Sequence, residues 1–265
     1  MNRIYTLLLI AAAFTACKKE DKTITPAAPE KTAPYLNKVM RYSSLYLKDI
    51  MTDSILLDEN GELKFTSHYY TANGNDDYDG YTDTYTRDKI GRITLAKGFF
   101  QDYDVFSGTA FNFEYDSRSN ISKVTLERIY NTTVVTTYSY DEYDRIVKEQ
   151  ADYTYYPEKN TLREYTYATP GTFNPASMKE TIGNDSKNAV TYLYSYDSKS
   201  SPFATLPKIV YYMGLGQLGV NNVLSVSVKD ENNTTTNIYR YGDNQLPFNK
   251  QDNRGSEYKY YYGNR

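Results

Sequence analysis

Residues 111–121 read FNFEYDSRSNI, and this stretch carries the signal that decides the fold. Phe111, Phe113 and Tyr115 alternate with polar residues, and a period of two places their three rings on one face of a β-strand. Asp116 then opens a run of turn-forming residues, and Ile121 begins the next apolar stretch. The stretch therefore predicts an aromatic strand, a tight turn and a returning strand.

The same arrangement recurs along the chain. It follows Asp58, Asp88, Asp116 and Asp141, which are 30, 28 and 25 residues apart. A further copy is predicted at Asp197, a worn one at residues 165–168 and a degenerate one at residues 242–244. A fixed period of this kind indicates a repeat protein. We expect an all-β fold, an antiparallel meander of about six to seven hairpins curled into an open or barrel-like sheet that protects its edges.

The clearest turn signal is Asn60-Gly61, which lies between the apolar stretches 55–57 and 63–65. Both residues tolerate positive φ, which two-residue hairpin turns require. The sequence therefore predicts a tight hairpin here.

The chain has 31 tyrosines and no tryptophan. Tyrosine suits half-buried strands, because its ring packs across strands while its hydroxyl reaches water. The tyrosine stripe is thus expected to form the core. Adjacent tyrosines at Tyr69-Tyr70, Tyr155-Tyr156 and Tyr260 to Tyr262 cannot all face inward, so some aromatic surface is predicted to meet solvent or a partner.

The body resembles the YD-repeat, or Rhs-like, family over roughly residues 53–250. Tyr115-Asp116, Tyr140-Asp141 and Tyr196-Asp197 match the first half of its unit, and Gly91-Arg92-Ile93 matches the second half. Large members of that family wind many repeats into a shell around a toxin. Small secreted lipoproteins with degenerate repeats are a closer likeness, so the resemblance implies the architecture and no activity.

The first residues predict an exported, lipid-anchored protein. Arg3 precedes an apolar run, Ile4 to Ala13, that is too short to span a bilayer, and residues 1–16 are typical of a signal peptide. Phe14-Thr15-Ala16-Cys17 resembles a bacterial lipobox, with Phe14 in place of the usual aliphatic residue. That likeness implies cleavage before Cys17 and lipidation of its thiol. Cys17 is the only cysteine, so an internal disulfide is impossible.

Three segments follow from this reading: a signal peptide at residues 1–16, a lipidated start and flexible linker at 17–34, and a tyrosine-rich β-repeat domain at 35–265. The charged run Lys18 to Lys22 resembles signals for export to the outer surface, and it is equally typical of a solvated tether. We expect the protein to be located in the cell envelope, lipid-anchored at the outer membrane. The sequence leaves open whether it faces the periplasm or the cell surface.

Charge and hydropathy exclude some partners. Removal of residues 1–16 takes away Arg3, leaving 29 Lys and Arg against 33 Asp and Glu, a net charge of −4. This mildly acidic balance predicts no nucleic-acid binding. A mean hydropathy of −0.69 and charges on nearly every predicted strand argue against a lipid-facing band, so the chain is expected to sit beside a membrane as a monomer.

A glycine-rich stretch, Gly214 to Gly219, spells the Gly-x-Gly-x-x-Gly fingerprint of dinucleotide-binding folds. That motif needs a helix opening at the glycines. Residues 208–213 before it and 220–226 after it instead have β-like composition, so we predict a connector between strands and no cofactor.

An acidic stretch, Asn75 to Asp83, places oxygen ligands at positions 1, 3, 5 and 9 of a calcium-type loop, with Gly80 at position 6. Position 12 is Thr86, where such a loop needs a bidentate Glu, and no helices are predicted around it. No metal site is predicted, and calcium binding here is left open.

His68 is the only histidine and lies on a predicted strand. No cysteine nucleophile, serine elbow or second histidine accompanies it, so we interpret it as structural and predict no catalytic residues. The favoured function is a binding or scaffold module for an extracellular glycan or protein, without enzyme activity. A purely structural envelope protein and a hydrolase that uses two of the 33 acids are the alternatives.

Overall fold

The computed structural model describes residues 34–42, 50–71, 80–100, 105–128, 132–183, 185, 187 and 189–263. In these residues the protein is an all-β meander whose sixteen antiparallel strands close into a barrel, because β16 pairs with β1. The strands are β1 Tyr35–Tyr42, β2 Ile50–Leu57, β3 Leu63–Thr71, β4 Tyr81–Arg87, β5 Ile93–Phe100, β6 Val105–Tyr115, β7 Ile121–Glu127, β8 Thr133–Tyr140, β9 Ile146–Tyr153, β10 Thr161–Tyr167, β11 Pro175–Ile182, β12 Ala189–Ser200, β13 Asn221–Val228, β14 Thr234–Tyr241, β15 Pro247–Asp252 and β16 Glu257–Gly263.

The hairpin turns share one construction. The Oδ1 atom of Asp116 accepts the backbone N–H groups of Arg118 and Asn120, at 2.9 and 2.8 Å. Asp58, Asp88 and Asp141 each accept the equivalent pair. The turn at Asn60-Gly61 is confirmed, but only Gly61 has positive φ, so it is not the two-residue turn type that the dipeptide suggested.

Neighbouring hairpins are tied together by the last residue of the aromatic strand, which is a tyrosine in the units at Asp116 and Asp141. The Tyr115 hydroxyl donates to the Ile93 carbonyl at 2.7 Å, and Tyr140 does the same to Ile121 at 2.6 Å. In the worn copy, Tyr167 donates to the Ile146 carbonyl at 2.8 Å. The repeat is therefore a structural unit in which each tyrosine satisfies a backbone group of the preceding hairpin.

Two predictions about residues 197–213 were wrong. No tight turn follows Asp197, because β12 runs on to Ser200 and a connection of twenty residues, 201–220, leads to β13. Residues 208–213 do not form a strand either, since Ile209–Tyr212 is a helical turn, α1. Each described strand already has a partner on both sides, so this segment has no sheet edge to join and satisfies its backbone locally.

Because the strands alternate in direction, alternate connections lie at opposite ends of the barrel. We call the end that carries the turns 58–62, 88–92, 116–120 and 141–145 the turn end. The first and last described residues also lie there. The end that carries connections 154–160, 229–233 and 253–256 is the loop end. The tether predicted at residues 17–34 would therefore leave the body at the turn end.

The two faces of the sheet differ in chemistry. The inner face holds apolar and tyrosine side chains, among them Leu36, Ile55, Phe113, Val124 and Tyr260, each less than 6% exposed. The outer face is mixed, with exposed apolar side chains at Leu193, Ile238 and Tyr261, and its exposed charged residues include Lys97, Glu114, Glu127, Lys148, Glu164, Lys179 and Arg240. Glu164 and Lys179 stand opposite one another in mid-strand, 3.9 Å apart and each half exposed. The expected tyrosine core is thus confirmed for the inward-facing positions.

Residues 201–220 form a plug that enters the barrel from the turn end. The plug contains a 3-10 helix at Pro202–Thr205 as well as α1. Its apolar side chains Leu206, Ile209, Val210 and Met213 are buried in the same cluster as the barrel's inner face. In the described part of the chain, no helix has the length and apolar character needed to cross a membrane. Residues 1–33, with Cys17, lie outside the described residues.

Candidate ligand-binding site in the barrel lumen

The plug is fixed to the barrel wall by tyrosine hydroxyls. Tyr211 donates to Glu149 Oε2 on β9 at 2.9 Å, and the Tyr212 hydroxyl lies 2.7 Å from that of Tyr140 on β8. On the other side, the backbone N–H of Leu36 on β1 donates to Thr205 Oγ1 at 3.0 Å. Since these contacts reach both β1 and β9, the plug crosses the lumen and divides it.

Glu149 is a buried acid with a full set of partners. It is 8% exposed and accepts from Tyr211, from Tyr165 at 3.2 Å and from Arg163 at 2.9 Å. Arg163 also donates to Glu180 at 2.8 Å. Burial raises the pKa of the Tyr211 hydroxyl well above its ordinary value, and the charge of Glu149 raises it further. The tyrosines are thus neutral donors to a carboxylate, which is how a buried charge is stabilised.

A cavity of about 280 Å³ lies between the plug and the wall formed by β10 to β15. Its lining includes Tyr165, Met178, Tyr194, Tyr196, Val226, Asn237, Tyr239 and Lys250. The rings of Tyr194 and Tyr196 lie 6.3 Å apart at their centroids, and those of Tyr239 and Tyr241 lie 6.2 Å apart. We call this space the tyrosine cavity.

A second cavity of about 190 Å³ lies at the turn end, between the plug and the repeat turns. It is more apolar, and its lining includes Phe173, Phe203, Leu206, Tyr167 and Arg145. The plug residues Tyr211, Gln217 and Leu218 line both cavities. They therefore form the wall that separates the two spaces.

The hydroxyls of the tyrosine cavity remain protonated at neutral pH. Burial is the main cause, and it raises the pKa of Tyr194 to about 12 and those of Tyr196 and Tyr239 further. The Tyr194 hydroxyl reaches the sulfur of Met178 at 3.8 Å, and sulfur is a weak acceptor. The cavity therefore offers ring faces together with hydroxyl groups that are able to bond a polar guest.

Two cations flank one ring at the loop-end side of this cavity. Lys250 Nζ lies 3.8 Å from the centroid of the Tyr258 ring, and the guanidinium carbon of Arg41 lies 5.4 Å from it. Burial lowers the pKa of Lys250 to about 8, and the charge of Arg41 lowers it as well, against the opposing effect of Asp252. Sequence reasoning missed this group, because β1, β15 and β16 meet only when the barrel closes.

His68 lies inside the barrel between two acids. Its Nδ1 is 2.8 Å from Asp53 Oδ1 on β2, and its Nε2 is 3.1 Å from Asp83 Oδ2 on β4. Burial alone would lower the pKa of His68, but the hydrogen bonds and charges of the two acids raise it to about 9. The imidazole is thus held as a cation in an ion triplet. Its predicted place on a strand is confirmed, and its two acidic neighbours are new.

The aromatic pairs predicted to be exposed are divided between the two faces. Tyr155 and Tyr156 are 58% and 45% exposed at the loop end, and Tyr261 is 42% exposed on the outer face. Tyr260 is buried, and the Tyr262 hydroxyl donates inward to the Pro247 carbonyl at 2.8 Å. Exposed tyrosines are therefore scattered, and the described tyrosines concentrate inside the barrel.

The remaining motifs are also placed. Gly214 to Gly219 belongs to the plug, between α1 and β13, so its prediction as a strand connector is confirmed. Of the acidic stretch, Asn75 to Asp79 lies outside the described residues, and Asp83 points into the barrel toward His68. Across the residues with described positions, no group of three His, Cys, Asp or Glu side chains is arranged to hold a metal ion.

Comparison with known proteins supports the fold alone. No family model and no curated protein matches the chain. A porin-like protein from Bacteroides uniformis ATCC 8492 is 11% identical, with a TM-score of 0.62 over 85% of this chain and 96% of that one. A porin-like protein from Bacteroides vulgatus ATCC 8482 is 13% identical, with a TM-score of 0.56 over 87% and 99%. The TcdB2-TccC3-Cdc42 structure gives a TM-score of 0.37 over 14% of its chain, too low to indicate a shared fold. The chain is thus similar in fold to porin-like barrels.

Proposed function

We propose that this protein is a lipid-anchored envelope barrel that binds a small extracellular ligand, of the glycan type, inside its lumen. The observation that carries the proposal is the tyrosine cavity, which is concave, aromatic and lined with hydroxyl groups. Tyrosine rings and hydroxyls suit a guest that has both ring faces and polar groups. The sequence suggested an aromatic binding surface on exposed loops, and we now propose that it lies inside the barrel.

The charged side chains on the outer face support a barrel that stands in water beside the membrane. A membrane barrel has a continuous apolar outer band, whereas here charged side chains are interspersed with the exposed apolar ones along the outer face. A lysine on the lipid-facing midplane destabilises a membrane-spanning barrel by roughly 2–4 kcal/mol. Lys179 lies in mid-strand on the outer face. Tethering through Cys17 is the attachment that fits such a surface.

The buried acids favour binding over hydrolysis. A retaining or inverting hydrolase needs two carboxyl groups that are open to its substrate. Here Glu149 is committed to Arg163 and two tyrosines, and Asp83 is committed to His68. A histidine with a pKa of about 9 is charged at neutral pH and cannot accept a proton as a general base. We therefore propose a protein without enzyme activity.

The binding function is tested by ligand-observed NMR with a panel of neutral and charged mono- and disaccharides and the purified mature protein. Val226→Phe fills the tyrosine cavity, and Ser227→Phe places the same ring on the outer face of the same strand. Saturation transfer that Val226→Phe abolishes and Ser227→Phe preserves supports the proposal, provided that both variants melt cooperatively. If no sugar binds, while deletion of the gene weakens the envelope, the purely structural alternative is correct.

A further inference from the structure

We propose that the ligand of the tyrosine cavity is an acidic sugar, a hexuronate, whose carboxylate meets Lys250 on the cavity wall, while Arg41, beyond Tyr258 in the same row, adds positive charge. This inference rests on the lumenal binding function proposed above and names the chemistry of its ligand. It comes from the placement of two cations around one tyrosine ring.

The three side chains form a cross-strand row on the inner face. Lys250 on β15 pairs with Tyr258 on β16, and Tyr258 pairs with Arg41 on β1. Both cations lie against the Tyr258 ring, at 3.8 and 5.4 Å from its centroid. The same row continues through Tyr239, which pairs with Lys250 and lines the tyrosine cavity. Lys250 thus stands on the cavity wall, and Arg41 lies beyond Tyr258 in the same row.

Neither cation forms a salt bridge with a described residue. Asp252 lies near enough to raise the pKa of Lys250 but makes no ion pair with it, whereas the inward-facing guanidinium of Arg163 pairs with two acids. Two like charges against one ring repel each other, and the buried amine is poorly hydrated. A bound carboxylate offsets the repulsion and the poor hydration; the pKa of Lys250, lowered to about 8 chiefly by burial, agrees with this reading.

The rest of the cavity favours a sugar over an apolar acid. The wall carries the rings of Tyr194, Tyr196 and Tyr239, and the amide of Asn237 lies with them. Ring faces stack on the carbon faces of a sugar, and hydroxyl and amide groups bond its hydroxyls. A volume of about 280 Å³ is small for a ligand pocket and suits a single sugar ring.

Arg41 supplies a route to the site. It is solvent-exposed near the end of β1, at the loop end, whereas Lys250, in the same cross-strand row, is only partly exposed. An exposed cation at the mouth attracts an anion, and a second one inside holds it in a less polar setting. The loop end is opposite the turn end, where the described chain begins, so an anchored barrel would present this mouth away from its tether.

The test is calorimetry of the purified mature protein with D-glucuronate and, separately, with D-glucose. We expect glucuronate to bind at least about tenfold more tightly than glucose, a difference of about 1.4 kcal/mol. Lys250→Met should remove that preference, Arg41→Gln should weaken it, and Lys179→Met on the outer face should leave it unchanged. Equal binding of the two sugars, or a preference that survives Lys250→Met, overturns the inference.

A second measurement tests the acidic ligand separately from the binding function. The pKa of the Lys250 amine, followed by NMR of labelled lysine, should rise when glucuronate binds and stay constant with glucose. If neutral sugars bind in the lumen and Val226→Phe blocks them while glucuronate has no advantage, the binding function stands and the acidic ligand is wrong. If no sugar of either kind binds, the proposed function itself fails.

Discussion

The Tyr115 hydroxyl donates a hydrogen bond of 2.7 Å to the backbone carbonyl of Ile93, which begins the returning strand of the preceding hairpin. Tyr140 and Tyr167 make the same bond one and two repeats further on. The guanidinium carbon of Arg92 lies 4.4 Å from the Tyr115 ring centroid, so the ring is also covered by a cation. The Tyr-Asp pair thus has two tasks: the aspartate shapes its own turn, and the tyrosine joins that turn to its neighbour.

Removal of this hydroxyl should weaken the barrel. Tyr115→Phe keeps the ring and deletes the bond to Ile93, so the free energy of unfolding should fall by about 1 kcal/mol. Tyr261→Phe is the matched control, because its ring is exposed on the outer face. Urea unfolding measures both variants. Equal losses for the two would show that the inter-repeat bond contributes nothing.

Glu149 should hold the plug in place. Glu149→Gln removes the charge that Arg163, Tyr165 and Tyr211 share, and we expect a loss of about 2 kcal/mol in the free energy of unfolding. Glu164→Gln is the control on the next strand, and loss of its exposed contact with Lys179 should cost less than about 0.5 kcal/mol. A Glu149→Gln protein as stable as the control would contradict the plug's proposed attachment.

His68 should make stability depend on pH in a defined direction. Its folded pKa of about 9 lies above the ordinary 6.5, so the stabilisation is complete below pH 6.5 and is lost as pH rises through 9. The unfolding free energy of the wild type should exceed that of His68→Gln by on the order of 3 kcal/mol at pH 6. That excess should shrink by pH 9.5. A constant difference across this range would refute the ion triplet with Asp53 and Asp83.

Lys250 should make stability change with pH in the opposite direction. Its folded pKa of about 8 lies below the ordinary 10.5, so the folded state loses its proton first and the wild type gains stability as pH rises from 8 to 10.5. The wild type should therefore be less stable than Lys250→Met at pH 7, and this difference in stability should shrink by pH 10.5. Thermal melts at the two pH values measure this change. An unchanged gap between the variants would indicate a lysine that is fully solvated.

The repeating hairpins are predictable from local sequence. Alternating aromatics before Asp116 and Asp141 specify strand faces, and the turns that follow are closed by the aspartate's own side chain. The unit at Asp88 is harder to recognise, because Arg87 stands where the tyrosine is expected. The structure explains it, since Arg87 Nη2 donates to the Leu63 carbonyl at 2.8 Å, as a tyrosine hydroxyl would.

The plug and the cation row could not be predicted locally. Residues 208–213 have strand-like composition. They do not form a strand because every described strand of the closed sheet around them already pairs on both sides. Arg41 and Lys250 are more than two hundred residues apart and become neighbours through the β16–β1 closure, which the sequence left open. His68 and its acids likewise meet across three strands, and nothing in their spacing signals it.

The central claim is that this barrel stands in water, held to the membrane only by Cys17. It is tested most directly by expressing the chain with residues 1–16 replaced by an ordinary cleavable export signal and with Cys17→Ser, beside the native lipoprotein. The account predicts that the variant leaves the membrane fraction, purifies without detergent as a monomer and melts cooperatively, whereas the native chain stays membrane-bound. A Cys17→Ser protein that remains in the membrane and needs detergent to stay folded would contradict it and support a membrane-spanning barrel.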